Sequence, residues 1–146
     1  MKHTNEMELR SDSRSANEGF ARVAVASFLT QLNPTVEEVA DVKTAVSEAV
    51  TNSIVHGYPD TLGTITLRCR ILAGNVLDIV VKDKGRGIEN VEEARKPMFT
   101  TGGADRSGMG FTIMESFMHE LKVTSQPGRG TTVHMKRKIL KRGGKP

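Results

Sequence analysis

The hydrophobic period of this chain changes at Gly63, and that change limits the fold more than any other feature. Before it, apolar residues recur at helical spacing; after it, they alternate as in half-buried strands. Phe20, Val23, Ala24, Ser27 and Phe28 predict an amphipathic helix over about 15–31, which Asn33-Pro34 ends. Thr35, with Glu38 three positions on, is a capping-box signature for a second helix. Val39, Val42, Val46, Ala49 and Val50 form its buried stripe, and Gly57 and Pro59 stop it. Upstream, Met7 and Leu9 alternate with polar neighbours and predict a short edge strand.

Beyond Gly63, Thr64–Ile71 and Val76–Lys82 flank an Ala73-Gly74-Asn75 turn, and Lys122–Ser125 and Thr131–Ile139 flank a Gln126–Gly130 turn. Both read as hairpins. Between them lie a polar, glycine-punctuated stretch from Lys84 to Ser107, a short turn of helix near Val91–Arg95, and a helix from about Met109 to His119. Strands joined by tight turns require antiparallel pairing. The expected class is therefore α/β (α+β): a two-layer sandwich with a mainly antiparallel sheet and helices on one face.

A chain of 146 residues predicts one domain over 1–146. Aromatics are 4% and Trp is absent, so the core rests on Val, Ile, Leu, Ala and Met. The formal charge of +4 invites a nucleic-acid reading, but six bases and no acid lie in 136–146. The rest has 15 bases against 17 acids, a net −2. Residues 136–146 read as a basic, frayed end, and no basic stripe interleaved with aromatics marks a nucleic-acid surface. Cys69 has no partner for a disulfide, the start MKHTNEMELR has no apolar signal core, and no run is long enough for a membrane span. A soluble cytoplasmic protein without direct nucleic-acid or membrane contact is expected.

Two features point to chemistry. Irregular stretches as long as Lys84–Ser107 are uncommon in compact domains unless they bind or cover a ligand. This one is bounded by Asp83-Lys-Gly85-Arg-Gly87 and by Gly108-Met109-Gly110, the latter opening a helix whose free N–H groups favour an anion. Gly128-Arg129-Gly130 reads as a hairpin turn. The three-glycine dinucleotide fingerprint and the Gly-Lys-Ser/Thr phosphate loop are both absent, so a nucleotide would be held differently. On the second helix, Glu48, Asn52 and His56 stand at i, i+4, i+8 and share a face. His56 is read as a favourable C-terminal residue. Asn52 offers a hard oxygen for Mg²⁺, and Glu48 a carboxylate able to accept a hydroxyl proton.

These residues resemble the GHKL ATPase/kinase superfamily: Glu48…Asn52 its N box, Asp83-Lys-Gly85-Arg-Gly87 its first glycine box, and Gly108-Met109-Gly110 its second. The runs VSEAVTNSIVHGY, FTT and RSGMGFTIMESFM, and nearly the whole chain, are similar to the bacterial anti-sigma serine kinases. The resemblance implies ATP and ADP as nucleotides, Mg²⁺ held by Asn52, and Glu48 as the base for a protein serine. It implies that Asp83 binds the adenine amino group, that Gly87 lines the base pocket, that Gly85 contacts the nucleotide, and that Thr131 supports the adenine side. Thr100, Thr101, Ser107, Gly108, Met109 and Gly110 would contact the nucleotide, and Arg106 the γ-phosphate. Arg22 would meet an acidic partner in a region also used for a homodimer. The implied partners are a sporulation sigma factor and an anti-anti-sigma factor that is phosphorylated. A general-stress kinase of the same chemistry, and a nucleotide-dependent sequestering module without transfer, are the alternatives. A histidine-phosphorylating sensor fragment is disfavoured, because His3 is the only His before the N box. The lid departs from the family pattern: Gly102-Gly103 stand where relatives tend to carry Lys-Pro, which predicts weaker nucleotide retention.

Overall fold

The computed structural model describes residues 3–96 and 107–140, and of Ser107 and Gly108 only their place in a helix. Strand β1 (His3–Asp12) leads into α1 (Ala16–Leu29), closed by a 3₁₀ turn over Thr30–Leu32. Asn33 then takes a left-handed conformation (φ 51°), which ends the helix before Pro34. Helix α2 (Val36–Asn52) starts at the Thr35 cap with both hydrogen bonds of the capping box and runs into a π-helical turn, Ser53–Gly57. Strands β2 (Thr64–Leu72) and β3 (Val76–Asp83), helices α3 (Val91–Ala94) and α4 (Ser107–Phe117), and strands β4 (Glu120–Gln126) and β5 (Gly130–Lys138) follow.

The five strands pair antiparallel throughout, in the order β1-β2-β3-β5-β4. The alternation seen in the sequence sends Leu67, Cys69, Leu77, Ile79, Val81, Val133 and Met135 into the core, where Val25, Leu29, Val42, Val46, Ala49 and Met114 of the helices join them. Helix α2 lies between α1 and α4 and touches both. Burial pushes the Cys69 thiol up to about 12, with the nearby Asp78 charge adding to the effect, so the group stays a neutral, packed thiol. One row across the other face alternates in charge over all five strands: Glu6, Arg70, Asp78, Lys136, Glu120. Opposite charges on neighbouring strands are mutually favourable.

Three expectations change. The edge strand is not short: β1 has 10 residues. The buried face of α1 is Ala21, Val25 and Leu29, while Phe20 and Val23 are 58% and 57% exposed. This helix is apolar on two sides, so the spacing of its largest residues does not identify the side packed on α2. The basic end is also not frayed over residues 136–140, while 141–146 lie outside the described residues. Lys136, Arg137 and Lys138 belong to β5, and Ile139 is fully buried. Arg137 turns inward, where its guanidinium donates to the Asp41 carboxylate at 3.0 Å and to the Phe117 carbonyl. The Leu140 amide donates to Glu38 at 3.0 Å, which ties the strand's exit to the start of α2.

Candidate functional site

Helix α2 and its π turn set out one side of the site. Glu48 and Asn52 are both half-buried, one turn apart, and both side chains face Gly110 of α4. A β-carbon on Gly110 would stand 3.4 Å from Asn52 Nδ2, Asn52 Oδ1 and Glu48 Oε1. The first turn of α4 thus lies directly over the Glu48–Asn52 pair, joining two motifs that are remote in sequence. The α-helical register ends at Asn52, so the line predicted to include His56 stops there; His56 sits in the π turn, half-buried. Such turns recur at functional positions, and this one carries Ser53 inward.

Asp83 ends β3 and is 4% exposed. Its Oδ2 accepts from the Ser53 hydroxyl at 2.7 Å, and its Oδ1 accepts from the Gly85 amide at 2.9 Å and the Thr131 amide at 3.3 Å. A carboxylate offers about four acceptor positions. Three are filled, which leaves room for one further N–H donor. The buried carboxyl is thus satisfied by hydrogen-bond donors.

Close backbone approach explains the first glycine box. A β-carbon on Gly85 would lie 2.2 Å from the Gly57 carbonyl oxygen, because the π turn presses on this loop and accepts the Arg86 amide at 2.9 Å. Gly87 has φ +77°, and a β-carbon there would strike the Gln126 carbonyl at 2.1 Å. In the last hairpin, Gly128 has open space, as a turn glycine should, whereas Gly130 is pressed against the backbone of Asp83.

Tyr58 holds the same corner: its hydroxyl donates to Thr64 O at 2.9 Å and accepts the Lys84 amide at 2.7 Å. Sequence reasoning missed Ser53, Tyr58 and Ser125, although the first two lie inside the VSEAVTNSIVHGY run. A hydroxyl directly after a helix-borne Asn was the available signal for Ser53.

Thr131 reaches Asp83 through its amide and is half-buried at the start of β5. Met109 is half-buried and Gly110 buried in α4, while Ser107 and Gly108 are placed in that helix by their backbone alone. Thr100, Thr101, Arg106 and the Gly102-Gly103 lid lie outside the described residues. Arg22 lies on α1, half-buried, with its Nε 3.1 Å from Glu18 Oε2. That oxygen also accepts the Ser47 hydroxyl, next to Glu48 in α2. A shallow groove lined by Leu72, Val76, His119 and Leu140 lies at the opposite end of the sheet and shares no residue with the site. Among the described residues no group of three or more His, Cys, Asp or Glu is arranged to hold a metal.

An antiparallel sheet under helices, with a buried Asp at a strand end bonded to the Ser that follows a helix-borne Asn, and glycine-lined loops beside them, defines a histidine kinase-like ATPase domain, and residues 10–137 match the family of that description. Such a fold is an ATP-binding one. Proteins named anti-sigma F factor are similar over nearly the whole chain. That of Thermoanaerobacter sp. (strain X514) is 54% identical, covering 95% of this chain and 97% of its own length. That of Clostridium acetobutylicum is 53% identical, covering 92% and 94%. The chain belongs to the anti-sigma F factor family. The crystal structure of the RsbU and RsbW domains of Rv1364c from Mycobacterium tuberculosis shares the fold, with a TM-score of 0.69 at 18% identity over 93% of this chain and 33% of that one. The mycobacterial sensor histidine kinase MprB does so with a TM-score of 0.56 at 16% identity, over 92% of this chain and 100% of that one. Among the described residues no helix is long and apolar enough to cross a membrane.

Proposed function

We propose that this chain is a cytoplasmic anti-sigma factor that holds a sigma F-type factor and uses ATP to phosphorylate a serine of an anti-anti-sigma factor. The observation that carries the reading is the placement of Glu48 and Asn52 together against the first turn of α4, one residue from the Ser53–Asp83 hydrogen bond. Adenine then belongs at Asp83, whose remaining acceptor position fits an exocyclic amino group, with Gly85, Gly87 and Thr131 around it. The phosphates belong between Asn52 and the start of α4, near Ser107, Gly108, Met109 and Gly110. Thr100, Thr101 and Arg106 complete the phosphate side, Arg106 offsetting γ-phosphate charge.

Asn52 Oδ1 is the protein oxygen for Mg²⁺, an ion that accepts few protein ligands when phosphates supply the others. Bound there, the ion would neutralise phosphate charge. Glu48 takes the proton from the substrate serine as its oxygen bonds to the γ-phosphorus, while the bond from that phosphorus to the bridging oxygen of ADP breaks.

In this reading the protein acts through partners. Arg22 is the docking residue for an acidic partner, which would compete with Glu18 for the guanidinium. Phe20 and Val23, exposed on α1, form part of a homodimer contact. Two proteins sharing one docking surface, biased by nucleotide state, form a linkage switch.

The test is Glu48→Gln, incubated with ATP-Mg²⁺ and an anti-anti-sigma factor, with phosphoserine read by mass spectrometry and ATP affinity by calorimetry. Transfer should vanish while ATP binding persists. Continued transfer would remove Glu48 as the base, and a wild-type protein that transfers to no such partner would leave sequestration alone as the function.

A further inference from the structure

We propose that Ser125 is a positioning residue that sets the base specificity of the nucleotide pocket, an inference that rests on the nucleotide reading above. Ser125 is half-buried near the end of β4, and its hydroxyl lies at the junction of three segments. Ser125 Oγ is 2.7 Å from the Ile88 amide nitrogen, 2.9 Å from the Gly130 carbonyl oxygen and 2.8 Å from Thr131 Oγ1.

A hydroxyl has one proton and two lone pairs. All three contacts are made together in only one way. Ser125 donates to the Gly130 carbonyl, and it accepts from the Ile88 N–H and from the Thr131 hydroxyl. Were Ser125 to donate to Thr131 instead, the Gly130 carbonyl would lose its side-chain partner.

The consequence falls on Thr131. Its proton is committed to Ser125, so Thr131 Oγ1 can only accept from any further group. Thr131 is also bound to Asp83 through its amide at 3.3 Å. A carboxylate and a hydroxyl fixed as an acceptor therefore stand on adjacent strands at one corner of the proposed base site. A purine with an amino group at C6 meets acceptors there. A purine with an oxo group at C6, as in hypoxanthine or guanine, sets oxygen against oxygen. Without Ser125, the Thr131 hydroxyl is free to turn and donate to that oxo group. The Ile88 contact adds a second constraint: with the Gly128 amide donating to the Arg86 carbonyl at 2.7 Å, it pins the glycine loop to the β4–β5 hairpin.

The experiment measures dissociation constants of ATP and ITP, which differ only at the base, for wild type, Ser125→Ala and Ser125→Thr, with a thermal melt of each. A net hydrogen bond of ordinary strength corresponds to a change of about five- to tenfold. The ATP-over-ITP preference of Ser125→Ala should fall by about that factor, and Ser125→Thr, which keeps the hydroxyl, should restore it. An unchanged preference in Ser125→Ala overturns the proposal, whether both affinities persist or both drop with the melting temperature, because the latter marks a purely structural role. Should Ser125→Ala not fold, Thr131→Val serves instead: its preference should fall, and an unchanged one overturns the proposal. A wild type that binds neither nucleotide refutes the nucleotide reading itself, whereas binding with an unaltered preference refutes only the role of Ser125.

Discussion

Replacing Gly110 with alanine should stabilise the protein and weaken its hold on ATP, two effects of opposite sign from one methyl group. Gly110 is buried within α4, in the first turn after Ser107, and its φ is not positive. Alanine is favoured over glycine inside a helix by up to about 1 kcal/mol. The added carbon would meet Asn52 Nδ2, Asn52 Oδ1 and Glu48 Oε1 at 3.4 Å, ordinary contact distances, so no clash cancels that gain. For a chain of this size the melting temperature without nucleotide should rise by roughly 3 °C. The same methyl covers the polar faces of Asn52 and Glu48 on the side proposed for phosphate. Losing one hydrogen bond to a charged group costs about 1.5–3 kcal/mol, or about ten- to hundredfold in affinity. Melts without nucleotide and titration calorimetry with ATP-Mg²⁺ measure both. A lower melting temperature would show that the helices pack more tightly than these distances imply. A higher one with wild-type affinity would place the phosphates somewhere other than beside Gly110.

Gly85→Ala should destabilise the fold by about 1–3 kcal/mol in urea titration. Its new carbon would sit 2.2 Å from a backbone carbonyl that cannot rotate away, so either the π turn or the glycine loop must move. Cys69 should resist alkylation in the native state and react freely once the protein is unfolded. Because its thiol is raised from 9.0 to about 12 in the fold, the folded state keeps a proton that the unfolded chain gives up. That contribution to stability is complete below pH 9 and is lost as pH rises towards 12, so the urea midpoint should fall across that window. ADP should leave faster in stopped-flow than from relatives whose lid carries Lys-Pro where this chain has Gly102-Gly103; equal or slower release would contradict the effect assigned to those glycines.

Local patterns of this sequence determine most of its elements. The capping box at Thr35, both hairpins and the β alternation after Gly63 each depend on a few neighbouring residues, and the structure reproduces them. The residue types of the candidate site were picked out on the same kind of pattern: an Asn on a helix, an Asp before glycines, and glycines opening a helix are short-range signatures. What only the tertiary structure decided is their company. Asp83 receives Ser53 from 30 residues away and Thr131 from 48, and Ser125 reaches back 37 residues to Ile88. Those meetings follow from β5 pairing between β3 and β4 and from the π turn that redirects α2 at Ser53. Strand order and the pitch of one helical turn are settled by packing over the whole core, so no local period encodes them. The same holds for α1, where two apolar sides compete and the surface offered by α2 selects Ala21, Val25 and Leu29 over the larger Phe20 and Val23.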